Sequence, residues 1–154
     1  MLFQTLFVIS LSFFVNAEEV HKKLCPNVGS HECVVHSVNV EPCPHGPRFC
    51  SFILDKRYSA TVDFTPYFSA HNLMVSVSTH PQETVTFTER IYKNACQRLL
   101  TCPLEAHIRQ SFDIPLNFDQ PTLPNQSKFP VQVKLWNADD TSQFCCFTFK
   151  AKIK

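Results

Sequence analysis

From residue 33 onward, apolar and polar positions alternate with a period of two over most of the chain. Val38 and Val40 share a parity with Val34 and His36, against Val35, Ser37 and Asn39. Tyr58, Ala60, Val62 and Phe64 alternate with Ser59, Thr61 and Asp63. The same rhythm runs through Leu73, Val75 and Val77, through Val85 and Phe87, and through Ile108, Phe112, Ile114 and Leu116. It returns at Val131, Val133 and Leu135, and again at Phe147, Phe149, Ala151 and Ile153. Successive side chains of a strand point to opposite faces, so these seven runs predict half-buried strands. Turn-forming clusters separate them at residues 42–47, 55–57, 65–66, 79–82, 117–128 and 137–142. Residues 91–100 have room for one short helical turn. Seven short strands at this spacing predict an all-β sandwich of two antiparallel sheets.

The N-terminus breaks the pattern. Residues 2–15 are nearly all apolar and end in Val15-Asn16-Ala17, small or short residues before Glu18 and Glu19. This predicts a secretory signal peptide over residues 1–17, although no Lys or Arg precedes the apolar run. The run is shorter than the roughly 20 residues a membrane span needs. Residues 18–154 are then one domain, long enough to bury a core.

Cysteine usage agrees with secretion. Eight cysteines behind a signal peptide imply disulfides formed in an oxidising compartment. Asn125-Gln126-Ser127 is an acceptor for N-glycosylation in a Pro-rich, polar stretch. The formal net charge of +1, with both signs interspersed, argues against a nucleic-acid partner.

No catalytic constellation stands out. His21, His31, His36, His45, His71, His80 and His107 are scattered, and no nucleophile elbow, phosphate loop or zinc-protease helix motif is present. Cys43-Pro44-His45 with Cys50 can be drawn as part of a metal site, but a small closed bridge explains those cysteines better in a secreted chain. His36 on an apolar strand face reads as a satisfied core or rim histidine. Asp139 and Asp140 suit a hairpin turn. The expectation is no enzyme, no metal and no cofactor. Fifteen Phe against one Trp and two Gly suggest a heavily aromatic interior. Such an interior is compatible with a filled core and with an apolar pocket between the sheets.

Three local features belong together: Val38-Asn39-Val40-Glu41-Pro42-Cys43-Pro44 followed by Cys50, Cys96 with Cys102-Pro103, and Asp139-Asp140 followed by Phe144-Cys145. This ordered frame resembles the ML (lipid-recognition) family. Within that family it is similar to the soluble sterol-transfer protein of Niemann–Pick type C disease and to the group 2 mite allergens. The resemblance spans Cys25 to Ile153.

The resemblance implies an immunoglobulin-like sandwich whose sheets hold a lipid. It implies the bridges Cys43–Cys50, Cys96–Cys102 and Cys25–Cys145. Cys33 and Cys146 are additional to the family frame and are expected to form a fourth bridge. Adjacent Cys145 and Cys146 face opposite sides of a strand, so exchange of their two N-terminal partners stays an alternative. The resemblance places Phe87 at a pocket mouth, Leu116 of Ile114-Pro115-Leu116 and Val62 on its lining, and Phe129-Pro130 at the family's Tyr-Pro position. With Phe64, Phe112 and Val131 these form the expected lipid site. The implied function is a monomeric carrier of a sterol, fatty acid or similar lipid, secreted or delivered to the lysosome, handing its ligand to a membrane transporter or receptor. Two rival roles come with the family. One is an innate-immune co-receptor for bacterial lipids, with a basic rim drawn from Lys22, Lys23, Arg90, Lys93, Arg98 and Arg109. The other is an arthropod-type semiochemical carrier. The long loop over residues 117–128, and Thr84-Val85-Thr86 where the sterol carrier is Pro-rich, weaken the expectation of a sterol in particular.

Overall fold

A computed structural model describes residues 17–26, 32–79, 88–118 and 128–154. The strands are β1 (Glu18–Glu19), β2 (Lys22–Leu24), β3 (Cys33–Glu41), β4 (Cys50–Phe52), β5 (Arg57–Pro66), β6 (Leu73–Thr79), β7 (Thr88–Tyr92), β8 (Gln110–Asn117), β9 (Lys128–Asn137) and β10 (Phe144–Ile153). One short helix, α1 (Ala95–Arg98), falls inside the segment expected to hold a single turn. The strands form two sheets, ordered β1-β3-β5-β8 and β2-β10-β9-β6-β7. Pairing is antiparallel except for β4, which runs parallel to β10. β2 and β4 lie one after the other along the same edge of β10, opposite residues 147–149 and 151–153. They are too short to show alternation, which is why the sequence pattern misses them, as it does β1.

Where alternation is long, it sets the faces. Tyr58, Ala60, Val62 and Phe64 of β5 and Phe112, Ile114 and Leu116 of β8 are buried. So are Phe129, Val131, Val133 and Leu135 of β9, with Phe147, Phe149, Ala151 and Ile153 of β10. They join one apolar cluster between the sheets. Ile108, expected to share the β8 face, lies before the strand and is exposed.

Strand β3 departs from the expected parity. Its register against β5 shifts between Val35 and Ser37. A bulge inserts one unpaired residue and reverses which parity faces inward. Val35 therefore pairs with Phe64 before the bulge, and Val38 with Val62 after it. His36 is turned outward and exposed, with Nε2 2.8 Å from Thr65 Oγ1. It is satisfied, as expected, but exposed rather than part of the core. Val85 and Phe87 lie outside the described residues, and the strand is seen from Thr88 onward.

The four disulfides correct the expected frame in one respect. Cys43–Cys50 and Cys96–Cys102 close loops with sequence separations of 7 and 6. The expected Cys25–Cys145 and Cys33–Cys146 are exchanged: Cys25 bonds Cys146, and Cys33 bonds Cys145. Sheet geometry explains it. Cys145 pairs with Leu135 and faces the interior, where Cys33, paired with Pro66 at the start of β3, meets it from the opposite sheet. Cys146 pairs with Lys134 on the outer face. Cys25 follows β2 in the same sheet, and its N–H donates to the Cys146 carbonyl at 3.1 Å. One bridge thus spans the sandwich, and the other pins an edge strand to its neighbour.

Two contacts lead to predictions. The Tyr58 hydroxyl accepts the Ile53 N–H at 2.9 Å, while its ring packs edge-on against Phe52 at 4.6 Å. Tyr58→Phe keeps the packing and strands the N–H. A loss of about 1–2 kcal/mol is expected in urea unfolding. On the outer face, Arg109 donates from Nε to both Asp63 carboxylate oxygens, at 2.9 and 3.1 Å. This hydrogen bonding holds the Asp63 pKa below its ordinary 3.8. A depressed carboxylate stabilises the fold above its unfolded value, and that contribution is lost as pH falls through the folded value. The gap in urea midpoint between the protein and Asp63→Asn should stay constant from about pH 7 to 5 and close below 3.8.

Candidate functional site

Of the residues expected to line a lipid site, Val62, Phe64, Phe112, Leu116, Phe129 and Val131 are described, and all are at most 4 % exposed. The first four project from β5 and β8 of one sheet, and the last two from β9 of the other. Phe64 and Phe112 meet edge-to-face with centroids 5.6 Å apart. Phe87, the expected mouth residue, lies outside the described residues, as do Asn125 and residues 1–16.

The two ends of the sandwich differ. At the end where β5 finishes and β6 begins, a bridge between Ala70 and Leu104 ties two loops together by reciprocal N–H to carbonyl bonds of 3.0 and 2.8 Å. Buried Phe68, Ala95 and Leu100, together with Cys33–Cys145, close this end. At the opposite end β5 begins, β6 and β8 finish, and β7 and β9 begin. An aromatic group gathers here: Phe118 stacks on Phe52 at 4.6 Å and meets Phe129 edge-on at 6.4 Å. Thr79, Thr88, Phe118 and Lys128, which border segments outside the described residues, all lie at this end.

One side edge of the sandwich is fastened by polar groups. Val75 pairs with Tyr92 and Val77 with Arg90, so both β7 side chains leave the inner face toward β8. Tyr92 Oη donates to the Pro115 carbonyl at 3.2 Å. With the Asn117 amide oriented so that its nitrogen donates to the Leu116 carbonyl at 3.1 Å, its oxygen accepts from Arg90 Nη1 at 2.9 Å. The sequence hints at this only through the two-residue spacing of Arg90 and Tyr92.

Three of the six basic residues expected at a rim have polar partners. Lys22 pairs with Glu19 at 3.5 Å, Arg109 with Asp63, and Arg90 reaches Asn117. Lys23 of that set joins His21, Arg48, Lys128 and Lys150 around a cleft of about 350 Å³, with Pro130, Thr148 and Phe149. Lys23 pairs with Thr148, and Lys150 with Pro130, which places the cleft on the outer face of the second sheet. The Lys128 ammonium also sits 4.1 Å from the centroid of the Phe49 ring. The Cys43 and Cys50 thiols are consumed in their bridge, so the alternative metal reading of that loop loses its thiolates.

The sequence profile of the ML domain matches residues 19–153. The chain belongs to the ML family. This ML protein is 31 % identical over 143 residues to the MD-2-related lipid-recognition protein of Manduca sexta, covering 93 % of this chain and 85 % of that one. It is 26 % identical over 140 residues to the NPC intracellular cholesterol transporter 2 of Sus scrofa, covering 90 % and 88 %. Its fold superposes on a Niemann-Pick type C2 protein from the Japanese carpenter ant with a TM-score of 0.65 at 16 % identity, covering 90 % of this chain and 99 % of that one. The moth relative is named as a lipid-recognition protein and the pig relative as a cholesterol transporter, and the ant structure shares the fold. Among the described residues, no helix of this ML protein is long and apolar enough to cross a membrane. Four disulfides fit an oxidising compartment.

Proposed function

We propose that this ML protein is a secreted carrier that binds a sterol or similar lipid between its two sheets and hands it on without altering it. One observation carries the reading: Val62, Phe64, Phe112 and Leu116 face Phe129 and Val131 across the interior, and all six are buried. Among the described residues, the buried polar side chains are Ser51, Ser76, Ser78, Thr79 and Asn137, none of them charged. An interior of that kind offers apolar burial and, among the described residues, no buried charged side chain. Burying about 300 Å² of ligand at about 25 cal/mol per Å² contributes on the order of 7 kcal/mol before association costs, enough for useful affinity with few hydrogen bonds. The signal peptide over residues 1–17, glycan attachment at Asn125, a monomeric state and delivery to a membrane transporter or receptor complete the reading.

The test is titration with dehydroergosterol and with a fluorescent fatty acid, followed by transfer of the bound probe between vesicles. Saturable one-to-one binding and protein-dependent transfer support the carrier. Binding of neither probe contradicts it.

The basic cleft favours a second reading, recognition of an anionic lipid surface. Binding to phosphatidylglycerol vesicles would then fall steeply with salt, as ionic attraction does. Salt-independent binding would remove this reading and leave the carrier intact.

A further inference from the structure

We infer that Thr79 anchors the polar group of the bound lipid. The inference rests on the carrier reading and says which atom of this chain recognises the one oxygenated end of an otherwise apolar ligand. Of the buried polar side chains, Ser51 and Ser76 pair with Lys152 and Lys134, and Ser78 pairs with Gln132, which puts all three on the outer face. Asn137 is inward but satisfied: its amide donates to Gln143 Oε1 at 2.9 Å, and its oxygen accepts the Asp139 N–H at 3.0 Å.

Thr79 is different. It pairs with Val131 of β9, and directly opposed residues of neighbouring strands share a face, so its side chain joins Val75, Val77 and Val131 on the inner side. It is 3 % exposed, and its Oγ1 has no hydrogen-bond partner among the described residues. A buried hydroxyl without a partner is costly and uncommon, and it calls for an explanation.

Its position supplies one. Thr79 ends β6 at the end of the sandwich away from the Ala70–Leu104 closure and the Cys33–Cys145 bridge. A lipid lying along the interior with its hydrocarbon toward that closure brings its head to Thr79. A hydroxyl can donate and accept, so it suits the hydroxyl of a sterol and the carboxyl of a fatty acid alike. The recognised chemistry is one small oxygen-bearing head group on a large apolar body.

Two matched pairs test this, each displacing N-phenyl-1-naphthylamine: cholesterol against cholest-5-ene, and oleic acid against 1-octadecene. The protein should prefer the oxygenated member of at least one pair by about tenfold, the worth of one buried hydrogen bond. Thr79→Val, nearly the same shape, should bring that ratio close to one, and Thr79→Ser should keep it. Empty Thr79→Val should also melt above the empty parent, since it removes an unpartnered hydroxyl, and the difference should shrink when both are saturated with oleic acid. A ratio that survives in Thr79→Val, or a parent that shows no preference, overturns the role of Thr79 and leaves the carrier standing. A parent that binds no member of either pair, and no fluorescent lipid, overturns the carrier reading and this inference with it.

Discussion

Removing both long-range bridges, by changing Cys25, Cys33, Cys145 and Cys146 to Ala, is expected to destabilise the protein by about 7 kcal/mol, while removing either bridge alone should cost only about 2.5 kcal/mol. The two bridges are nested, with sequence separations of 121 and 112. Whichever remains closes a loop of more than a hundred residues, which restricts the unfolded chain by an amount worth about 4.8 kcal/mol. The second bridge then closes only the short extra path from Cys25 to Cys33 and from Cys145 to Cys146, about nine residues, worth about 2.6 kcal/mol. Because stabilities of domains this size are about 5–15 kcal/mol, the fourfold variant stands near the threshold of unfolding and either pairwise variant does not. Urea unfolding of the three variants measures this. Additive losses, with each single removal costing as much as half the double, would show that the bridges act on the native sheets rather than on the unfolded chain.

Val131→Phe is expected to weaken dehydroergosterol binding about thirtyfold while changing stability by less than about 1 kcal/mol. Val131 is fully buried, lies between Thr79 and Phe149 on the inner face of the second sheet, and belongs to the expected lipid site. If the carrier reading holds, a ring added there occupies space that the ligand would use. Displacing about 80 Å² of buried ligand surface at about 25 cal/mol per Å² is worth about 2 kcal/mol, hence the factor. In a sandwich filled by its own side chains the same ring would have nowhere to go. Overpacking would then cost about 1–3 kcal/mol of stability. Binding and thermal unfolding of one variant therefore distinguish a ligand-holding interior from a filled one.

The sequence shows most clearly what repeats. β5, β8, β9 and β10 carry four or more residues of unbroken alternation, and their inner faces in the structure are the ones the alternation marks. β3 shows where this fails. A bulge is one extra residue, and nothing in Val35-His36-Ser37 distinguishes it from regular strand, so the parity of Val34 and His36 is misread. The cysteine frame fails for a related reason. Cys145 and Cys146 are adjacent, so spacing gives no preference between them; only the face of β10 decides, and that depends on its pairing with β9 and on the sheet to which each N-terminal cysteine belongs. The buried apolar positions of β5, β8 and β9 were legible as strand parity. Thr79 was not, because a threonine that ends an apolar strand reads like the start of a turn until its register with Val131 places it inside. The basic cleft is assembled from β2, β9, β10 and the loop before β4, segments far apart in sequence.

A lipid held between the sheets is tested most directly by native mass spectrometry of the protein purified from a secreting host, with an organic extract of the same sample. A population carrying one added mass, matched in the extract by a sterol or fatty acid at near-equal molar ratio and lost on extraction, is the predicted result. A protein that emerges at its bare mass, yields no lipid in the extract and gains no mass when incubated with sterol, fatty acid or bacterial lipid would contradict it.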